Sequence, residues 1–397
     1  MEFTIHNQVL GLAFLFAVIM GAVANKTNFC TMGAVSDWVN MGDTGRLRAW
    51  LFAMAVALIG VLALEFFGVL TLGTDTFPPY RTANFAWLRY VLGGVMFGIG
   101  MTLASGCGNK TLIRIGGGNL KSVVVLAIAM VAAYAMLWTD FFNVAFMSWM
   151  QPTIVDLSAR NIESQEIGAI IGGLAGVEDV SKLHLIVGGI VAFALLAFIF
   201  KSRDFRSSFD NILGGLVVGL AVIGGWWITG GSMGTAWKEW ADFASEVPSR
   251  VATQSYTFIS PMGDTARYLM DPAQLSLVNF GVVALAGVIV GSLLWALVSR
   301  SFRFEWFRSG SDFVTHGIGA VLMGVGGVLS MGCTIGQAVT GMSTLALGSL
   351  LTFLSIVFGS ALTMKIQYYM LDEQGFLGAF RSSLADFRLL PAKKTAA

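Results

Sequence analysis

Apolar residues gather in nine long runs, at roughly 8–24, 47–72, 86–106, 120–149, 183–200, 211–230, 275–299, 312–332 and 345–370. A bilayer-crossing helix needs about 17 to 25 residues of this kind. The runs therefore predict nine transmembrane helices. The polar residues between them are not evenly distributed. Arg46 and Arg48; Lys110, Arg114 and Lys121; Lys201, Arg203 and Arg206; Arg300, Arg303 and Arg308; and Arg381, Arg388, Lys393 and Lys394 fall in alternate gaps. The other gaps, around Asp75 to Arg81, Asp156 to Lys182 and Trp237 to Asp271, are mixed or acidic. Cytoplasmic loops carry the excess of Lys and Arg, so the expected orientation is N-terminus outside and C-terminus cytoplasmic.

Composition agrees with a chain that lives in lipid. Hydrophobic residues make up 56% and charged residues 12% of the 397, and the mean hydropathy is +0.75. A soluble chain carries about a quarter charged residues. The expected fold is an all-α polytopic membrane protein, and 48 glycines suit close helix approach there. A net charge of +1 says nothing about nucleic acid, but no basic cluster large enough to bind it is present, so no such partner is expected. Val9 to Ala24 reads as a first span and not as a signal peptide, because Met1 to Gln8 has no basic segment. Three cysteines without a Cys-x-x-Cys make neither a disulfide framework nor a zinc site. His6, His184 and His316 sit at separate span ends, so no metal is expected. No phosphate-binding Gly-x-x-x-x-Gly-Lys-Ser/Thr loop is present. Neither a cofactor nor an enzymatic activity is expected.

A repeat organises the rest. Gly98, Gly100, Gly106 and Cys107 recur with identical spacing as Gly324, Gly326, Gly332 and Cys333. With the orientation above, the first copy opens inward and the second outward. Two copies of one motif in opposite senses predict inverted-topology repeats, with broken helices meeting at the midplane around a substrate site. A second pair fits. Thr31-Met32-Gly33-Ala34 precedes Trp38, and Ser232-Met233-Gly234-Thr235 precedes Trp240, so Cys30 aligns with Gly231. The expected organisation is a first repeat at 1–150, an external linker at 151–182, a second repeat at 183–372 and a cytoplasmic tail at 373–397. The second half is about 25 residues longer, a difference the polar stretch Ala241 to Asp271 absorbs. That stretch and the linker are expected outside, where they would cap or narrow the outer entrance.

Irregular backbone at membrane depth is tolerated only where it lines a cavity or is buried in protein. Glycines beside a cysteine let the chain turn and bring N–H groups to a ligand. A helix restarting there aims a partial positive charge at the midplane, which would hold an anion without a fixed cation. The thiol adds a weak donor and a soft sulfur suited to a ligand that itself presents sulfur. Cys30, Cys107 and Cys333, with Gly106, Gly108, Gly332 and Thr334, are the candidate substrate-binding residues. They would pass a sulphur-bearing anion along by S–H···S contacts. Gly98, Gly100, Gly324 and Gly326 are expected to serve packing. Glu65, inside the second run, is expensive in lipid and a candidate for proton coupling. Trp226, Trp227, Trp237 and Trp240 are expected at the membrane interface.

Ser105-Gly106-Cys107-Gly108, Met331-Gly332-Cys333-Thr334 and Asn28-Phe29-Cys30 resemble the YeeE/YedE family of membrane proteins, from about Val9 to about Gly359. The resemblance implies an hourglass-shaped bacterial inner-membrane protein of inverted repeats, importing thiosulfate or a related sulphur anion past the three cysteines. It also implies a cytoplasmic sulfurtransferase as a partner. Two rival readings stand beside it: a channel for a small oxyanion or neutral solute, and a membrane thiol–disulfide oxidoreductase.

Overall fold

The computed structural model describes residues 4–176, 180–244, 246–373 and 375–390. Lys393 and Lys394, counted among the basic tail residues, lie outside them, as do 177–179 of the linker. The chain is nearly all helical. The first half contains α1 (Ile5–Lys26), α2 (Thr31–Ser36), α3 (Gly45–Phe66), α4 (Trp87–Leu103), α5 (Gly108–Gly116), α6 (Leu120–Trp138) and the single turn α7 (Ser148–Met150). Then come α8 (Ile167–Ala175), α9 (Val180–Phe200) and the short α10 (Arg203–Ser207). The second half contains α11 (Phe209–Gly230), α12 (Ser232–Asp242), α13 (Ile259–Met270), α14 (Phe280–Val298), α15 (Gly310–Leu329), a π-helix at Thr334–Gly341, α16 (Leu347–Leu371) and α17 (Phe376–Asp386). The only paired strands among the described residues, Asn84–Phe85 and Val155–Asp156, are two residues each.

Among the described residues, nine helical stretches are long and apolar enough to cross a membrane. Their outer faces carry bare aliphatic and aromatic side chains: Ile190 and Phe193 on α9, Leu220 on α11, Leu294 on α14. Phe193 is 75% exposed. Water would penalise so large an apolar surface, whereas lipid does not.

The second and fourth runs overshoot their helices by the most. The second ends at Phe66 and not at 72, closed by Gly68 in the left-handed region. The fourth ends at Trp138 and not at 149, where the Thr139 hydroxyl bonds back to the Ala135 carbonyl and accepts from Phe141 N–H. Asp140 therefore lies beyond the helix. In both places apolar residues continue past the helix end, so hydropathy alone overshoots.

Packing partners recur between the halves. α1 packs on α14, and α11 on α3. α4 packs on α16, and α15 on α6. α5 touches α14, and the π-helix touches α3. α8 and α9 stand outside this pattern, α8 against α9 and α9 against α3. At the centre α4 crosses α15 through glycine. A methyl on Gly93 would stand 2.7 Å from the Gly326 oxygen, and one on Gly100 2.7 Å from the Gly319 oxygen. Backbones approach so closely only where no Cβ intervenes, which is the packing role expected for Gly100 and Gly326.

Two expectations are corrected. Trp226 and Trp237 are fully buried, their Nε1–H groups donating to Ser343 Oγ and His6 Nδ1, both at 3.1 Å; Trp227 does face outward. The stretch 241–271 is not wholly a surface loop. Its residues Thr253 to Asp264 are buried and thread into the core beside the second cysteine motif.

Candidate functional site

The three cysteines share one backbone device. α1, α4 and α15 each stop at a residue in the left-handed region: Asn28 (φ 51°), Ser105 (φ 58°) and Met331 (φ 61°). The next residue sends its N–H back five positions, Phe29 to Ala24 O at 3.0 Å, Gly106 to Met101 O at 2.8 Å and Gly332 to Gly327 O at 2.8 Å. This is the Schellman closure, which satisfies orphan carbonyls at a helix end. The following residue is the cysteine, in extended conformation, and it is the N-cap of a new helix. Cys30 Sγ accepts from Gly33 N–H at 3.4 Å, and Cys333 Sγ accepts from Gly336 N–H at 3.5 Å. These two thiols thus sit where an N-cap oxygen ordinarily sits, whereas Cys107 holds the N-cap position without a side-chain capping bond. Gly231, aligned with Cys30, also caps a new helix, but α11 reaches it without a left-handed residue.

The left-handed turns come from Asn28, Ser105 and Met331, so the glycines have another purpose than the one expected of them. Gly106, Gly108 and Gly332 do not have positive φ. They provide space. A methyl on Gly106 would meet the Lys110 side chain at 3.2 Å, one on Gly108 would meet Met262 at 3.2 Å, and one on Gly332 would meet Gln337 at 3.1 Å. Gln337 holds the third break together, donating to Ser330 O at 2.7 Å and accepting from Ser349 Oγ at 2.6 Å.

The breaks converge. Cys107 lies within electrostatic reach of both Cys30 and Cys333, and the Thr334 hydroxyl stands beside Cys107 although it follows Cys333 in the chain. All three thiols are free and buried, with Cys333 fully enclosed. Polar side chains with no hydrogen-bond partner stand next to them. Thr31 Oγ1 follows Cys30, Asn109 Oδ1 follows the Cys107–Gly108 pair, and Thr334 Oγ1 follows Cys333. The charge is one-sided. Lys110 and Arg46 both lie within electrostatic reach of Cys30, with Arg114 beside Lys110. Lys110 donates to Asn28 Oδ1, tying the second break to the first, and Arg46 is paired with Asp37.

The Cys333 end has neutral neighbours that sequence reasoning missed. Thr257 and the Phe258 N–H stand beside its sulfur. Tyr80, from the loop between α3 and α4, donates to Gly336 O at 2.6 Å. Burial, with Cys333 close by, holds the Tyr80 phenol well above its ordinary pKa, so it remains a neutral donor. A signal for Thr257 was present: from Val251 to Gly263 a supposed external loop carries no charge.

Glu65 is paired, not free. Arg81 Nη1 donates to Glu65 Oε1 at 2.8 Å and to Leu72 O at 2.8 Å, and Arg81 Nε reaches Thr344 O at 3.2 Å. His184 Nε2 lies 2.8 Å from Glu65 Oε2, and its Nδ1 3.1 Å from Glu166 Oε1. These groups line a cleft of ≈ 860 Å³. They join α3, α8 and α9 to the turn that follows the π-helix.

A family model described as "Sulphur transport" matches residues 26–362. The chain is 26% identical to the thiosulfate transporter TsuA of Escherichia coli over 80% of its own length and 83% of that protein's. It is 24% identical to the TsuA of Spirochaeta thermophila over 87% and 95%. A shorter stretch, 36% of this chain and 34% of the relative, is 29% identical to the probable transporter YedE of Salmonella typhimurium.

Proposed function

The chain belongs to the sulphur transport family, to which YeeE/YedE proteins belong, and from that premise we propose that this membrane transporter imports thiosulfate by way of its three thiols. The observation that carries the reading is the convergence of three Schellman-to-N-cap breaks, each presenting a cysteine. The N-cap position directs N–H groups and a partial positive charge toward the ligand. The thiol offers its hydrogen to a sulfur that a hydroxyl would serve less well. Neutral donors bind an anion weakly enough for release. Arg46, Lys110 and Arg114 on the Cys30 and Cys107 side attract it electrostatically. In this reading the halves are inverted repeats, supported by the exchange of packing partners, with N-terminus outside and C-terminus in the cytoplasm of a bacterial inner membrane. A cytoplasmic sulfurtransferase would receive the product. Because the thiols are buried, passage requires the breaks to move apart transiently on either side.

The test is growth of a sulphur-auxotrophic bacterium on thiosulfate as sole sulphur source. Expression of this chain should support growth, and Cys107→Ala or Cys333→Ala, present at equal level in the membrane, should abolish it. Growth of either variant at the wild-type rate would reject the thiol path. Strong competition by sulfate would favour a general oxyanion channel instead.

A further inference from the structure

A thiosulfate-like anion has two unlike ends, and the cysteines account for only one. The sulfur end suits a thiol. The three oxygens, which carry much of the charge, need hard donors, and no cation lies among the groups placed at Cys333. Hydroxyls stand there instead. Thr257 comes from the charge-free segment that enters the core between α12 and α13. It is 4% exposed, its hydroxyl has no partner, and its Cβ would lie 2.8 Å from a methyl placed on Gly336, the residue whose N–H caps Cys333. Thr334, fully buried and equally unpartnered, stands beside Cys107. One hydroxyl therefore stands beside each of the two thiols.

The segment is held so that Thr257 has little freedom. Thr340 Oγ1 donates to Tyr256 O at 2.6 Å, Tyr256 OH donates to Ala13 O at 2.7 Å, and Thr229 Oγ1 donates to Gln254 O at 2.6 Å. The residues just before Thr257 are thus held by hydrogen bonds, while its own hydroxyl makes none and has only the Cys333 sulfur beside it. Leaving a buried hydroxyl unmade is unfavourable, and native interiors nearly always satisfy such groups. A hydroxyl fixed in place with no oxygen or nitrogen partner, beside a capping thiol and a helix N-terminus, is a donor available to a ligand.

We infer that Thr257, with Thr334, forms a hydroxyl subsite for the oxygen end of the transported anion, and so selects oxyanions over anions that carry sulfur alone. The inference rests on the transport reading above. Both hydroxyls are neutral, so the subsite recognises the ligand by hydrogen-bond geometry and permits release. It also gives the insertion at 241–271 a purpose: it delivers one specificity residue to the centre.

The test measures binding by the purified full-length protein in detergent, through ligand-dependent thermal stabilisation. The probes are sodium thiosulfate, sulfate and hydrosulfide, the last without oxygen. Thr257→Val removes the hydroxyl and keeps the shape; Thr257→Ser keeps the hydroxyl. Thiosulfate affinity is expected to fall about tenfold or more in Thr257→Val, to return in Thr257→Ser, and hydrosulfide affinity to stay unchanged. Unchanged thiosulfate affinity in Thr257→Val overturns the subsite. So does an equal loss for hydrosulfide, which would mark a packing defect. A wild-type protein stabilised by no oxyanion also overturns it, while the growth experiment judges thiosulfate import separately. If sulfate binds tightest and Thr257→Val weakens it, the subsite stands and the thiosulfate reading falls.

Discussion

Met331, Ser105 and Asn28 are the residues on which each break turns. A side chain in the left-handed region costs about 1–2 kcal/mol, and helix ends of this kind usually use glycine. Here three different non-glycine residues occupy it. The penalty is largest for a β-branched residue, because its second branch crowds the backbone. Met331→Val should therefore lower the unfolding temperature in detergent by an amount matching about 1–2 kcal/mol, whereas Met331→Gly should hold or raise it. Equal stability of the two variants would mean that the turn is not strained. The cysteines were legible in the sequence because identical glycine spacing brackets two of them. The turning residues were not. Asn, Ser and Met have no common chemistry, and the flanking glycines, whose flexibility seemed to explain the turn, instead make room for Lys110, Met262 and Gln337.

At the scale of elements, the α4–α15 crossing sets how close the second and third breaks can come. Gly100 is one of its tight points: a methyl there would stand 2.6 Å from Met323 N. Backbone cannot swing aside as a side-chain end can, so the two helices must separate. Gly100→Ala is expected to destabilise by about 1–3 kcal/mol, with Gly11→Ala, which has nothing within 4 Å, as the control that holds or slightly gains stability. Thermal unfolding of both variants in one detergent decides it, and equal curves would show that the crossing has slack. Helix positions were readable from hydropathy because lipid demands long apolar runs. Helix ends were less so, as at Phe66 and Trp138, because they are set by hydrogen-bond capping and not by apolarity.

Across the whole molecule, segments that look peripheral in the chain hold the centre. Gln165 Nε2 donates to Tyr90 OH at 3.0 Å, Gly348 N–H donates to Gln165 Oε1 at 3.2 Å, and Ile167 N–H donates to Leu345 O at 3.0 Å. Part of the supposed external linker is therefore locked to the turn after the π-helix. Glu166 completes the joint, capping α8 through Gly168 and Ala169 N–H at 2.7 Å each. Burial alone pushes its carboxyl upward, but His184 and these two N–H groups outweigh burial and hold it below the ordinary value of 4.5. A group with a depressed native pKa contributes stability that is complete above the unfolded value. That contribution is lost as pH falls through the native one. Protease cleavage within 162–176 should thus stay slow at neutral pH and accelerate below about pH 4.5 as Glu166 protonates. Glu166→Gln should cleave faster at neutral pH and show a weaker acid dependence. An acid dependence unchanged in that variant would assign the effect to Glu65 or another carboxylate.

What the sequence determined by itself was class, span number and the repeat that brackets two of the cysteines. Lipid leaves few solutions for a chain this apolar, and a motif repeated at fixed spacing is visible without coordinates. Tertiary structure decided which uncharged residues meet those thiols. Thr257 is more than seventy residues from Cys333 in the chain, and Tyr80 farther still. Neither belongs to a repeat, and a lone threonine or tyrosine carries no signal of its own. Their approach depends on where two loops find room between helices drawn together by glycine, which is a property of packing and not of local pattern.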